Sequence, residues 1–306
     1  MDHIKVDNED LAQNEIDIFR LFSIFWSYKL HIVGITAFFS LISLVAILFL
    51  PVKFTSSALL APVDSNNFTN RIAAGYGGLA GLAGIDLGDQ SISKTDLAIE
   101  ILQSRSFFIN IMEERSLLPA LFATKGWNEE KDLLIYRENL YDPESDSWLN
   151  NKPFIKEMNE EWNKDILSIS KDNKTNFITI KIRHYSPTFA YQLLSWVLED
   201  LDAEVRNRDM ASSTKAIEYL QQELKDTDTN ELKSLFYSLI QEQTNKRMLA
   251  KTNPQYVFNI IDPPFVPEEK SDPKSFLIFI SVSILGFFAS LMFVLFINIL
   301  RNRNRT

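Results

Sequence analysis

Two uncharged apolar stretches, Leu30 to Leu50 and Ser275 to Leu300, bracket an intervening segment of 224 residues. Each is long enough to cross about 30 Å of hydrocarbon as a helix rising about 1.5 Å per residue. This layout predicts a two-pass membrane protein whose residues 51–274 lie together on one side. Arg301, Arg303 and Arg305 crowd the last six residues, and Arg20 and Lys29 precede the first span. Short basic flanks stay in the cytoplasm, which assigns residues 1–29 and 301–306 to cytoplasmic tails and residues 51–274 to the periplasm. Lys53, Arg71, Lys270 and Lys274 flank the spans on the other side, so the orientation rests on the tight arginine cluster.

Residues 1–29 carry six acids against three bases. A secretory leader is short and basic at its start, and no small-x-small cleavage site follows Leu50, so the first span is expected to be retained. The net charge is -9, and because the two tails offset one another it belongs to the intervening segment. An acidic domain is a poor partner for nucleic acid or anionic lipid. There is no cysteine, which removes disulfides and thiolate metal sites and fits an oxidising compartment.

The intervening segment reads as one α+β domain. Lys53 to Ala61, rich in Thr, Ser and aliphatic residues and followed by Pro62, is a strand leaving the membrane. Ile166 to Ser170 and Phe177 to Arg183 flank the polar run Lys171 to Thr175, and Ile178, Ile180 and Ile182 alternate with Thr179 and Lys181. That period of two marks a half-buried hairpin. Tyr256 to Ile261 is a fourth strand leading toward the second span, so strands at both ends imply a small membrane-proximal sheet. Between hairpin and last strand, Ser186 and Pro187 form an N-cap and first helical position, and neither Gly nor Pro occurs from Thr188 to Asn253, 66 residues. Leu194, Val197, Leu198, Leu201 and Val205, then Ile217, Leu220 and Leu224, recur at helical spacing. Lys225 to Asn230 (KDTDTN) breaks the run, since Asp and Thr compete for backbone hydrogen bonds, and a second helix, Glu231 to Ala250, folds back. The expected architecture is a long helical arm on a small sheet.

Six of the nine glycines fall in GYGGLAGLAGIDLG: Gly75, Gly77, Gly78, Gly81, Gly84 and Gly88. Gly75-x-Gly77-x-x-Ala80 has a permitted form of the dinucleotide fingerprint, but no parallel βαβ unit surrounds it. A loop in which small residues let backbones approach, for example between subunits, is the stronger reading for Gly75, Gly77, Gly78, Gly81 and Gly84.

No catalytic, cofactor-binding or metal-ligating residue is assigned. His3, His31 and His184 are the three histidines and form no triad with other residues. Asp226-Thr227-Asp228 has the Asp-x-Asp form used to hold sugar nucleotides, but it falls in the helix break, where capping accounts for it. No Gly-x-x-x-x-Gly-Lys-Ser/Thr is present, and the tails are too short to hold a kinase or signalling domain. The segment IDPPFVPEEKSDPKS, residues 261–275, concentrates Pro263, Pro264, Pro267 and Pro273, four of 11 prolines. Each fixes φ and removes a donor, so the segment is either a plain spacer or a stiff connector that transmits the orientation of the domain to its membrane helix.

With these features assembled, the chain resembles a Wzz-type polysaccharide chain-length determinant, a polysaccharide co-polymerase of Gram-negative bacteria. The resemblance runs over nearly the whole length: IDIFRLFSIFWSYK before the first span, GLAGLAG, LAIEILQSRSFF (Leu97 to Phe108), the Ser186-Pro187 helix start, and LKSLFYSLIQEQTNKRMLA (Leu232 to Ala250). Its most specific part is the entry to the second span, where the family approximates a proline at every third position. Pro264, Pro267 and Pro273 keep that register and Lys270 departs from it. Gly286, inside the second span, also resembles the family pattern.

The resemblance implies a regulator and not a catalyst. It implies a bell-shaped homo-oligomer in the bacterial inner membrane that works with a membrane O-antigen polymerase on lipid-linked polysaccharide and sets its modal length. An amphipathic arm with an exposed flank agrees with lateral association. Control of capsule, exopolysaccharide or enterobacterial common antigen remains an alternative, as does, from another class, a two-pass periplasmic sensor.

Overall fold

The computed structural model describes residues 24–63, 93–149 and 152–303. The chain is a mixed helix and sheet protein with an apolar helix at either end, and it divides into two compact units, Pro51–Ser271 and the residues outside it. The five glycines assigned above to backbone approach lie outside the described residues, as do His3 and Gly88.

The first unit is built on strand β1 (Phe54–Pro62). Helices α2 (Lys94–Gln103), α3 (Arg105–Glu114) and α4 (Leu118–Phe122) follow, then the short hairpins β2 (Thr124–Asn128) with β3 (Leu133–Tyr136) and β4 (Tyr141–Asp142) with β5 (Ser147–Trp148). Helix α5 (Ile155–Glu161) runs through a π-turn into β6 (Leu167–Lys171) and β7 (Ile178–His184). The long helices α6 (Pro187–Lys225) and α7 (Asn230–Thr252) lead to β8 (Phe258–Asp262). Outside this unit stand α1 (Lys29–Phe49) and α8 (Ser275–Arg303).

Four strands form one antiparallel sheet in the order β6-β7-β1-β8. Alternation decides which face is dry. Ile178, Ile180 and Ile182 of β7 stand opposite Leu60, Ala58 and Ser56 of β1, and all six are buried. Leu193, Leu194, Val197, Leu201 and Val205 of α6 join the same core, with Ala98, Ile101 and Leu102 of α2 and Phe107, Phe108, Ile111 and Met112 of α3. Burying a large aliphatic or aromatic side chain contributes about 1.5–3 kcal/mol, so this layer dominates the fold's stability.

Helix α6 begins as expected, with the Ser186 hydroxyl accepting from the Phe189 N–H at 3.1 Å and Pro187 at the first turn. Its 39 residues span about 58 Å. The break falls between Lys225 and Asn230, but capping by the Asp-x-Asp acids does not produce it: Asp226 ends α6 and Thr227 bonds back to the Glu223 carbonyl at 2.7 Å. Beyond Val205 the helix buries little except Ser213 and Ile217, and α7 answers with Leu235.

A charged cluster fixes the return of α7 to the sheet. Arg206 donates to the carbonyls of Ala250 and Asn253 (2.7 Å to the latter), placing a cation at the electronegative end of α7. Asp202, paired with Arg206, accepts from the backbone N–H groups of Tyr256 and Val257 at 2.8 and 3.0 Å. Those two N–H groups are thereby withdrawn from the ladder, which is why β8 starts at Phe258 and not at the expected Tyr256. The Tyr256 hydroxyl donates to Asp209 at 2.6 Å, Lys246 reaches the same carboxylate at 2.9 Å, and the Lys94 ammonium sits 3.6 Å from the Tyr256 ring centroid. Burial lowers the Lys94 pKa against the opposing pull of Asp209, and burial with the Asp209 bond raises that of Tyr256.

Candidate functional site

The proline-rich segment is fastened along β1. Strand β8 pairs with β1 through Phe258↔Pro62 and Ile260↔Leu60, and the ladder stops at Asp262 because Pro263 and Pro264 bring no N–H. Their neighbours' carbonyls still accept. The buried Ser56 hydroxyl donates to the Phe265 carbonyl at 2.7 Å. Further on, Ser271 donates its N–H and its hydroxyl to the Lys53 carbonyl at 2.9 and 3.0 Å and accepts from the Thr55 hydroxyl at 2.7 Å. Side chains of β1 thus replace the ladder bonds that proline forbids.

The prolines are not equivalent. Pro267 is buried, Pro264 is half-buried and Pro263 is exposed, while Phe265, Val266 and Lys270 are exposed. An extended proline-type helix repeats every three residues, so Pro264 and Pro267 share the face laid on the sheet. Lys270 stands at a solvated position where a charged side chain costs nothing, which accounts for its departure from the proline register. Pro264 also lines a groove of about 340 Å³ with Leu60, Leu198, Phe258 and Ile260, rimmed by Glu199 and Gln255.

Within the other unit, α1 and α8 pack antiparallel, with Tyr28 and Arg301 3.4 Å apart at one end. Both helices are long and apolar enough to cross a membrane, with mean hydropathy 2.6 and 2.5, and nearly all of each is unburied within the chain. At their contact Ser40 of α1 meets Ser283 of α8 and Gly286 of α8 lies against Phe39 of α1, with Ser43 and Ser290 buried. Small side chains let helix backbones approach in lipid, where no hydrophobic force drives helices together. Ser40 gives its proton to the Thr36 carbonyl at 2.9 Å, so the Ser283 hydroxyl donates to Ser40 across the seam at 2.8 Å. A Cβ at Gly286 would stand 2.6 Å from Cβ of Phe39, closer than atoms tolerate, so glycine is required there for the contact. Pro273 is half-buried ahead of α8, its carbonyl accepting from the Ser275 N–H at 2.8 Å.

The structure brings Pro263, Pro264 and Pro267 together with β1 and sets Gly286 in the helix seam. Sequence reasoning missed Ser56, Thr55 and Ser271, and part of the signal was present: a serine in the buried phase of β1, at Ser56, beside Thr55. His31 lies on α1 and His184 is buried at the end of β7. Among the described residues no group of three or more His, Asp or Glu is placed to hold a metal ion. The arrangement holds the segment from Phe265 to Ser271 against the strand that opens the domain.

No curated protein sequence matches the chain. Among solved structures it is similar to a full-length bacterial polysaccharide co-polymerase, with 15% identity, TM-score 0.39, and coverage of 95% of this chain and 100% of that one. A fragment of WzzB, a polysaccharide co-polymerase from Salmonella Typhimurium, is similar at 16% identity and TM-score 0.30, covering 72% of this chain and 100% of that one. The family model described as "Wzz: Chain length determinant protein" matches residues 14–114, which take in the first apolar helix, β1, α2 and α3. Through that segment this chain is similar to the Wzz chain length determinant family.

Proposed function

We propose that this protein sets the length of the O antigen of lipopolysaccharide, acting without catalysis as a homo-oligomeric co-polymerase beside a membrane polysaccharide polymerase. The observation that carries the reading is the family match over residues 14–114, which embraces the span, the strand that anchors the proline connector and the helices behind it. In this reading α1 and α8 cross the bacterial inner membrane, residues 51–274 stand in the periplasm, and residues 1–29 and 301–306 are cytoplasmic. Antiparallel packing of α1 against α8 supports a topology with both ends on one side. The fastening of residues 265 and 271 to β1 supports a connector that passes domain orientation to the second span, with Gly286 keeping the spans in contact. Purification in mild detergent tests the proposal: an oligomer that co-purifies with a polymerase supports it, and a persistent monomer that never does so contradicts it.

A further inference from the structure

His184 closes β7 at the point where the sheet hands the chain to α6. Its ring is 3% exposed and is packed between Tyr185 and Phe189, the latter 4.5 Å away between centroids. Nε2 lies 3.0 Å from the carbonyl oxygen of Ala120 in α4, and Nδ1 lies 3.1 Å from the backbone nitrogen of Ser186. A carbonyl only accepts and an amide N–H only donates, so Nε2 carries the proton and Nδ1 is bare. The same Ser186 is the N-cap of α6, its hydroxyl holding the Phe189 N–H and its carbonyl the Ala190 N–H at 3.0 Å. Ala120 in turn receives the Thr124 hydroxyl at 2.6 Å. One neutral imidazole therefore joins the sheet, the start of the longest helix and the end of α4.

We propose that His184 is an acid-sensitive latch, whose protonation sets a ring N–H against the Ser186 N–H and frees the first turn of α6 and the end of α4 from the sheet. This device is independent of the proposed function. The groups around the ring oppose the charged form. Lys53, whose ammonium lies over the Tyr185 ring at 5.3 Å, is the charge that acts on it, α4 contributes no titratable side chain, and the N-terminus of α6 adds positive dipole. Burial above all, with Lys53, lowers its pKa to about 4. A ring released to water titrates near 6.5, so the released state binds the extra proton and is favoured about tenfold per pH unit as the pH falls from about 6.5 to about 4.

The test is hydrogen exchange of the full-length protein in detergent across that pH range, corrected for intrinsic exchange, with His184→Gln alongside. Protection of the amides at 186, 188–190 and 121–124 is expected to fall about tenfold per pH unit in wild type and to stay level in the variant. Unchanged protection in wild type overturns the latch, and so does an equal fall in both proteins, which assigns the effect to carboxylates. If His184→Gln does not fold, nitrogen NMR of the wild-type histidine rings decides. One ring holding the Nε2–H form well below pH 6.5 and protonating in step with loss of protection supports the latch, and three rings titrating normally contradict it.

Discussion

The hydroxyl of Ser56 donates to the carbonyl of Phe265 at 2.7 Å, joining the first strand of the domain to a segment 209 residues later. Ser56 is wholly buried, so removing its oxygen leaves the Phe265 carbonyl without that partner. Ser56→Ala is expected to cost about 1–2 kcal/mol, seen as a lower denaturant midpoint, and to raise exchange locally at residues 265–271. An unchanged midpoint with unchanged exchange would show that the connector is held by other means.

Pro267 is the buried member of the proline set. Pro267→Ala restores a donor and loosens φ while removing only a little buried surface, so the domain should stay folded and the connector should soften. The expected readout is a broader chain-length distribution with a denaturant midpoint shifted by less than about 1 kcal/mol equivalent. An unchanged distribution would return this proline to the role of spacer.

Gly286 sets the approach of the two apolar helices, and the chain has no native cysteine to confuse a cross-linking assay. Ser40→Cys with Ser283→Cys should form a disulfide readily in membranes, because the native hydroxyls are 2.8 Å apart. Adding Gly286→Leu should slow that cross-link at least tenfold by pushing α8 away from Phe39. Equal rates would mean the seam tolerates a side chain there.

Asp209 is shared by Tyr256, Lys246 and Lys94. Asp209→Ala strands two cations and a hydroxyl in a half-buried pocket and should destabilise by about 2–4 kcal/mol, whereas Tyr256→Phe, which keeps the ring under Lys94, should cost about 1 kcal/mol. Urea titrations of the two variants give the comparison, and equal small losses would show that the cluster is solvated.

The edge strand β6 is tied to α2 by Lys171 and Asp96 at 2.7 Å. The hydrogen bond from Lys171, then that from Ser93, lowers the Asp96 pKa below its ordinary 3.8. A depressed acid contributes stability above its unfolded pKa and loses it as pH falls through the folded value. Because the pair is largely exposed, Asp96→Asn should cost under about 1 kcal/mol near neutral pH, and the cost should vanish in acid once the folded-state carboxylate is protonated. A constant difference at all pH values would show that charge is not the cause.

Local pattern made much of the fold legible. The isoleucine alternation at 178, 180 and 182 marked β7, Ser186-Pro187 marked the start of α6, and the polar run from Lys225 to Asn230 marked its end, each because the signal is carried by neighbours in sequence. The order β6-β7-β1-β8 was not legible, since it depends on pairings across more than a hundred residues. Nor were α2 and α3, whose ten-residue lengths give little periodicity, or the two hairpins of two to five residues per strand. In the site, the prolines announced themselves by composition. Ser56 and Phe39 did not, because what makes them matter is a partner that only folding brings within reach.

Control of O-antigen length is tested by the lipopolysaccharide ladder from cells with and without this gene. Deletion is expected to replace a clustered modal band by a graded spread of lengths while polymer is still made, and the intact gene is expected to restore the band. An unchanged ladder would contradict control of O antigen and point to another surface polysaccharide, and loss of all polymer would contradict a length regulator by placing the protein in synthesis or export.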